Sequence, residues 1–177
     1  MKAKVRSLKS KVGKLAIIAL GANLGNARGN ILLGMRRLQE LSDTPLWRSS
    51  LWQTAPVDCP PGSRVFVNAV VGLVPRVGET PESLLAKLQA LEKEFGRRPK
   101  QVLNEPRPLD LDLIAFAGKV RHGDFLVLPH PRAHERRFVL QPLAEISPDL
   151  ILPGQRRTAA ELLEMLPAGE SVEKLSG

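Results

Sequence analysis

Apolar positions recur along the chain with two periods, and together they predict an alternation of strands and helices. The unbroken run Leu15 to Leu20 predicts a buried first strand, and Gly21-Ala22-Asn23-Leu24-Gly25-Asn26 after it reads as a turn that feeds a helix. Ile31, Met35, Leu38 and Leu41 then follow helical spacing, leaving Arg36, Arg37 and Glu40 for solvent. Leu46 to Gln53 and Val65 to Val74 predict two further strands, joined by a loop whose three prolines and one glycine exclude regular structure. Thr80 suits an N-cap and Pro81 a first helical position, ahead of the stripe Leu84, Leu88, Leu91 and Phe95, with Gly96 placed to end the helix. The basic segment from Arg97 to Arg107 is aperiodic and predicts a second loop, followed by a strand through Asp110. A hairpin is expected over Gly118 to Leu128, and a turn with a short helix over Arg132 to Ile146. Thr158 with Glu161 forms a capping-box pattern before a last helix. The order strand, helix, strand, strand, helix, strand is that of the ferredoxin-like unit. The expected fold class is therefore α+β, a ferredoxin-like α/β sandwich with helices packed on a mostly antiparallel sheet.

Composition changes this picture only at the N-terminus. With 177 residues, 43% of them hydrophobic, the chain can bury one real core, so residues 15–177 are expected to form a single domain. The formal charge of +8 points to an anionic partner. Much of it sits in Lys2, Lys4, Arg6, Lys9, Lys11 and Lys14, a stretch without acidic residues, so residues 1–14 are expected to be a disordered basic tail. The six apolar residues from Leu15 are too short for a signal peptide or a membrane span. Cys59 is the only cysteine, which excludes an intrachain disulfide, and a cytoplasmic, soluble protein is expected.

The chemistry is concentrated in Arg107-Pro108-Leu109-Asp110-Leu111-Asp112-Leu113-Ile114. Alternation along a strand sends Asp110 and Asp112 to one face, and two adjacent carboxylates repel unless a cation sits between them. A hard cation such as Mg2+ carrying phosphate oxygens meets that need. Arginine clusters flank the pair, with Arg97, Arg98, Lys100 and Arg107 before it and His130, Arg132, Arg136 and Arg137 after it, and arginine forks match phosphate oxygens. No P-loop is present, because Gly13-Lys14 precedes Leu15 and Gly118-Lys119 precedes Val120. Pro131 lies between His130 and His134 and argues against a helical zinc pair, and Cys59 has no recognisable base.

Asn104-Glu105-Pro106-Arg107-Pro108-Leu109-Asp110-Leu111-Asp112-Leu113-Ile114 resembles the signature of the 6-hydroxymethyl-7,8-dihydropterin pyrophosphokinases of folate biosynthesis. Ala19 to Gly25, Thr54-Ala55-Pro56, Phe66-Val67-Asn68-Ala69, Leu128-Pro129-His130-Pro131 and Arg136-Arg137-Phe138 resemble further segments of that family, so the likeness runs over roughly residues 15 to 155. The resemblance implies transfer of pyrophosphate from ATP to the pterin hydroxymethyl group, releasing AMP. It implies that Asp110 and Asp112 hold two Mg2+ ions, with Arg97 and Arg107 completing the catalytic set. ATP would meet Gln89, Glu92, Arg107, His130 and Arg136. The pterin would meet Thr54, Val57, Phe66, Asn68 and Phe138, with Asn68 reading its amide-like edge. Loops 54–64 and 97–107 are expected to close over the substrates. The chain departs from the family at Asn104 and Glu105, where a tryptophan and a glycine are common, at Pro99, and around Phe125 and Val127. Partners are expected to be ATP and the pterin, with no membrane and no obligate protein. A nucleic-acid-binding module is the rival drawn from the charge, and a 4% aromatic content scarcely provides the stacking platform it would need. Another metal-dependent nucleotidyl or phosphoryl enzyme, including a nuclease, is the second rival.

Overall fold

The computed structural model describes residues 14–56, 61–97, 105–169 and 171–176. The basic segment before Lys14 lies outside them, as do Val57, Cys59, Arg98, Pro99, Lys100 and Asn104. Strand β1 (Ala16–Ala22) is followed by α1 (Ala27–Gln39), β2 (Trp47–Arg48), β3 (Trp52–Thr54), β4 (Phe66–Leu73) and α2 (Pro81–Glu94). Then come β5 (Asp110–Phe116), the hairpin β6 (Arg121–His122) and β7 (Val127–Leu128), α3 (Arg137–Ile146), α4 (Ala159–Met165) and β8 (Val172–Lys174). The main sheet runs β5-β1-β4-β3-β8, with β2 also paired to β4, and its ladders are antiparallel. That order places β1 between β4 and β5, as the ferredoxin-like reading requires.

Alternation along β1 divides the core. Ile18, Leu20 and Ala22 join Val67, Ala69, Val71, Leu111 and Leu113 under α1 and α2, which contribute Ile31, Met35, Leu38, Leu84, Leu88 and Leu91. Ile17, Ala19 and Val70 face α3 and α4, which contribute Val139, Leu140, Leu143 and Leu162. The first face is apolar along the whole length of β1. The second is apolar only where α3 and α4 lie, and beyond them it carries polar side chains.

The helices begin where the sequence signals them. Thr80 and Ser83 form a reciprocal capping box with Pro81 in the first turn, and Thr158 with Glu161 forms another. The strand expected over Leu46 to Gln53 is instead two short strands. Ser49 interrupts it, because its hydroxyl accepts the Val70 N–H (2.9 Å) in place of a ladder carbonyl while its own N–H donates to the Val70 carbonyl (3.0 Å). Strand β8 was not expected from the sequence. It pairs with β3, Val172 opposite Thr54 and Lys174 opposite Trp52.

Candidate active site

Register builds the site one row at a time. Trp52 pairs with Asn68, Asn68 with Gly21, and Gly21 with Asp110, so four strands bring these residues into one line on the face left open by α3. In the next row Ala19 pairs with both Val70 and Asp112. The floor between Asn68 and the aspartates is therefore made of glycine and alanine alone. A Cβ at Gly21 would stand 3.2 Å from Asn68 Oδ1, so glycine keeps the floor low.

On the β4 side, Asn68 is 5% exposed and Thr54 is equally buried. Asn68 Nδ2 donates to Thr54 Oγ1 (2.7 Å). Thr54 thereby keeps its own hydroxyl proton to give, and Asn68 keeps Oδ1 to receive. Phe66 pairs with Thr54 and is half-buried at the start of β4. Phe138, in the first turn of α3, lies under the Arg136 guanidinium (5.5 Å to the ring centroid).

Strand β5 is the sheet edge, so groups on its outer side need partners from elsewhere. Glu92 of α2, 6% exposed, accepts the Leu111 N–H with its carboxylate (2.7 Å). The register against β1 slips between Ile17 and Ile18, leaving Ile114 without an opposite residue, and the Ile114 carbonyl accepts the His130 N–H (2.8 Å). An edge contact thus fixes the Leu111 backbone between the two aspartates, and a bulge carbonyl fixes the backbone of His130. Gln89 lies one turn before Glu92 and is exposed.

Charges are interleaved. Arg97 donates to Glu92 and to Asp110 Oδ1 (2.7 Å for the latter), while Arg107 Nη1 lies 3.0 Å from Asp110 Oδ2. Both oxygens of Asp110 are therefore ion-paired. Burial and the neighbouring Asp110 carboxylate push Asp112 up to about 6, against the opposing pull of Arg136, Arg107 and Arg97. Burial pushes Glu92 up to about 7, with Asp110 adding to it, although the Leu111 N–H and Arg97 pull it down. His130 is held below its ordinary value by burial and by Arg136 and Arg132. Its Nδ1 accepts the Arg132 N–H (3.2 Å), so the neutral ring carries its proton on Nε2.

Among the described residues no three histidine, cysteine or acidic side chains converge as metal ligands. Two carboxylates on one face, one of them driven toward protonation by burial and by the other, nonetheless suit a Mg2+ ion that takes its remaining oxygens from phosphates and water. The structure brings together Asp110, Asp112, Arg97, Arg107, Glu92, His130 and Arg136 on one side of Gly21. It brings Thr54, Phe66 and Asn68 together on the other. Sequence reasoning gave no role to Trp52, Gly21 or Asn23. Only register reveals the first two, and a reciprocal pair of long-range hydrogen bonds to Arg107 reveals the third.

A carboxylate pair ringed by arginines and set beside a buried amide, on an antiparallel α+β sheet, fits the class of phosphate-transfer enzymes. The family model for 7,8-dihydro-6-hydroxymethylpterin-pyrophosphokinase matches residues 17–148, and the chain belongs to that family. It is 37% identical to the 2-amino-4-hydroxy-6-hydroxymethyldihydropteridine pyrophosphokinase of Pseudomonas aeruginosa over 90% of this chain and 96% of that protein. It is 35% identical to the protein of the same name from Synechocystis, over 85% of this chain and 75% of that one. Longer relatives also match. The chain spans 23% of a mitochondrial folate synthesis bifunctional protein of Arabidopsis thaliana, at 40% identity, and 21% of a Pneumocystis carinii folic acid synthesis protein. In fold it superposes on a crystal structure of Plasmodium falciparum HPPK-DHPS with a TM-score of 0.66 and 13% identity, covering 85% of this chain and 44% of that one. The chain is thus an ATP-dependent diphosphokinase whose reaction is pyrophosphoryl transfer in folate biosynthesis. The rival nucleic-acid reading is not favoured.

Proposed function

We propose that the side chains in the Asn68–Gly21–Asp110 row carry out the transfer of pyrophosphate from ATP to 6-hydroxymethyl-7,8-dihydropterin. The observation that carries this is the row itself, which sets an amide reader and a carboxylate on either side of a residue with no side chain. The hydroxymethyl oxygen forms a bond to the β-phosphorus, the bond from that phosphorus to the oxygen bridging it to the α-phosphate breaks, AMP leaves with that oxygen, and the hydroxyl proton passes to solvent.

Thr54 donates its hydroxyl and Asn68 Oδ1 accepts, which matches the acceptor and donor of a pterin edge, while Phe66 and Phe138 offer flat apolar surfaces to its rings. Val57, outside the described residues, is assigned to the same side by family likeness. Asp110 and Asp112 would hold two Mg2+ ions, which when bound neutralise charge on the phosphates and orient them. Arg97, Arg107 and Arg136 bind phosphate oxygens, and neutral His130 donates from Nε2 without adding charge. Glu92 fixes Arg97 and the start of β5, and Gln89 contacts the nucleotide from the same flank of α2.

Residues 15–177 are read as one pyrophosphokinase domain, with residues 1–14 outside its chemistry. No helix among the described residues is long and apolar enough to cross a membrane, and we assign the enzyme to the cytoplasm without an obligate protein partner. Incubation with ATP, Mg2+ and the hydroxymethyl dihydropterin should yield AMP together with a pterin diphosphate. ADP, or AMP formed without pterin, would refute the reading. Asp112→Ala should lower turnover at least about 10²-fold while circular dichroism stays unchanged.

A further inference from the structure

The segment that enters β5 cannot be held by the sheet. Pro108 has no N–H, and β5 begins only at Asp110, so the Arg107 peptide lies outside every ladder. It is nevertheless held on both sides by one residue. The Asn23 N–H donates to the Arg107 carbonyl (3.2 Å), and the Arg107 N–H donates to Asn23 Oδ1 (2.9 Å). One carbonyl further on, Pro108 accepts Asn30 Nδ2 (3.0 Å) from the first turn of α1. The turn after β1 and the start of α1 together grip the two residues that precede the aspartate strand.

Asn23 is 3% exposed, and its Nδ2 has no hydrogen-bond partner among the described residues. Arg107 Nε is buried and unpartnered as well. Among the described residues the Asn23 side chain makes its hydrogen bond through Oδ1, and that bond goes to the Arg107 backbone. From that fixed backbone the Arg107 guanidinium, 15% exposed, reaches Asp110 Oδ2.

We propose that Asn23 is a positioning residue for pyrophosphoryl transfer, acting through Arg107: it holds the peptide from which the guanidinium meets Asp110 and the phosphates, and Asn30 supports it from the next carbonyl. The proposal rests on the phosphate role given to Arg107 above. Failure of that role is seen separately, because Arg107→Ala alone would then leave ATP kinetics unchanged.

The experiment is steady-state kinetics with ATP and pterin varied independently, together with thermal unfolding and equilibrium pterin binding without nucleotide. Asn23→Ala should lower kcat/KM for ATP roughly 10- to 100-fold, the scale expected when a reacting group is displaced by about an ångström. Pterin binding without nucleotide should stay within about twofold. Asn23→Asp keeps the accepting oxygen and should restore ATP kinetics to within about threefold of the wild type. In an Arg107→Ala background, Asn23→Ala should add less than about twofold, because its effect passes through the missing side chain. Full additivity in the double variant, an Asp variant as impaired as the Ala one, or equal losses for pterin and ATP would each overturn the proposal. Should Asn23→Ala not fold, Asn30→Ala gives the same test. It should raise the ATP requirement roughly 3- to 10-fold with pterin binding unchanged, and unaltered ATP kinetics there would count against the positioning role.

Discussion

Gly21 shows how much a single missing side chain can carry. Its φ needs no glycine, so alanine is conformationally free to stand there, and a glycine-to-alanine change stabilises by about 0.4–1 kcal/mol through the unfolded chain. The added methyl would press on Asn68 Oδ1 at 3.2 Å, a few tenths of an ångström too close. These effects offset one another in stability but not in function. Gly21→Ala should melt within a few degrees of the wild type and raise the pterin KM roughly 3- to 10-fold, leaving the ATP KM nearly unchanged. Equal pterin KM values would show that Asn68 does not read the pterin. Glu92 gives a second test at this scale. Folding lifts its carboxyl from 4.5 to about 7, so the folded state retains a proton that the unfolded chain releases in that interval. Stability from this proton is complete below about pH 4.5 and is lost as pH rises through about 7, with Asp112 acting in the same direction from 3.8 to about 6. Urea unfolding of the substrate-free protein should therefore show stability falling between pH 5 and 8. Glu92→Gln should flatten the upper part of that fall, and an unchanged slope would show that Glu92 titrates normally. The aspartate pair was legible in the sequence because its signal is local, two carboxylates in an apolar strand pattern. Glu92 as a partner of the Leu111 N–H was not, because that need exists only once β5 is known to be an edge.

At the scale of elements, α3 ties together what the sheet leaves loose. Glu145 near its C-terminus accepts the Ser50 N–H (2.9 Å), the Ser50 hydroxyl (2.6 Å), Trp52 Nε1 (3.1 Å) and Lys174 Nζ (3.0 Å). Burial alone would raise the Glu145 carboxyl, and these donors bring it below its ordinary value instead. Strands β2 and β3 are too short to hold themselves, and β8 adds only three residues beside β3. Glu145→Ala removes the acceptor that joins all of them. It should destabilise by about 1–2 kcal/mol, less than a buried charged network would give because the side chain is 28% exposed. Hydrogen exchange should show faster opening at Trp52, Thr54 and Lys174 than at Ile18 or Leu113, and uniform protection would refute the link. This is also the level at which sequence and structure part. Helices α2 and α4 were readable to their caps, since Thr80-Pro81 and Thr158 with Glu161 act within a few residues. The break at Ser49 was not, because it depends on a side chain replacing a carbonyl across the ladder. Strand β8 was hidden for a related reason. Its Val172-Glu173-Lys174 has almost no apolar pattern of its own and becomes a strand by pairing with β3.

For the whole molecule, topology decides which charges meet. Arg97 follows α2, Arg107 precedes β5, Arg136 precedes α3, and the β5-β1-β4 order gathers them around one carboxylate pair that the linear sequence shows only as flanked by basic residues. The excess positive charge of the chain could be read from composition, but its purpose at the site could not, since that depends on which arginines converge. Two of these arginines, Arg97 and Arg107, are paired to Asp110, one to each oxygen. A divalent cation arriving at Asp110 must therefore compete with Arg97 and Arg107, whereas nucleotide phosphates give both guanidiniums a better acceptor. Arg97 consequently has opposite effects on two measurements. On the phosphate role proposed for Arg97, Arg97→Ala should weaken turnover with ATP. It should also tighten Mn2+ binding to the nucleotide-free protein by up to about tenfold, equivalent to the loss of an opposing interaction of about 1.4 kcal/mol in a half-screened site. Electron paramagnetic resonance of free Mn2+ reads the second effect without turnover. Weaker Mn2+ binding in that variant would mean that Arg97 organises the carboxylates for the cation; tighter binding alongside lower turnover would mean that nucleotide must draw the arginine away before Asp110 is free to coordinate.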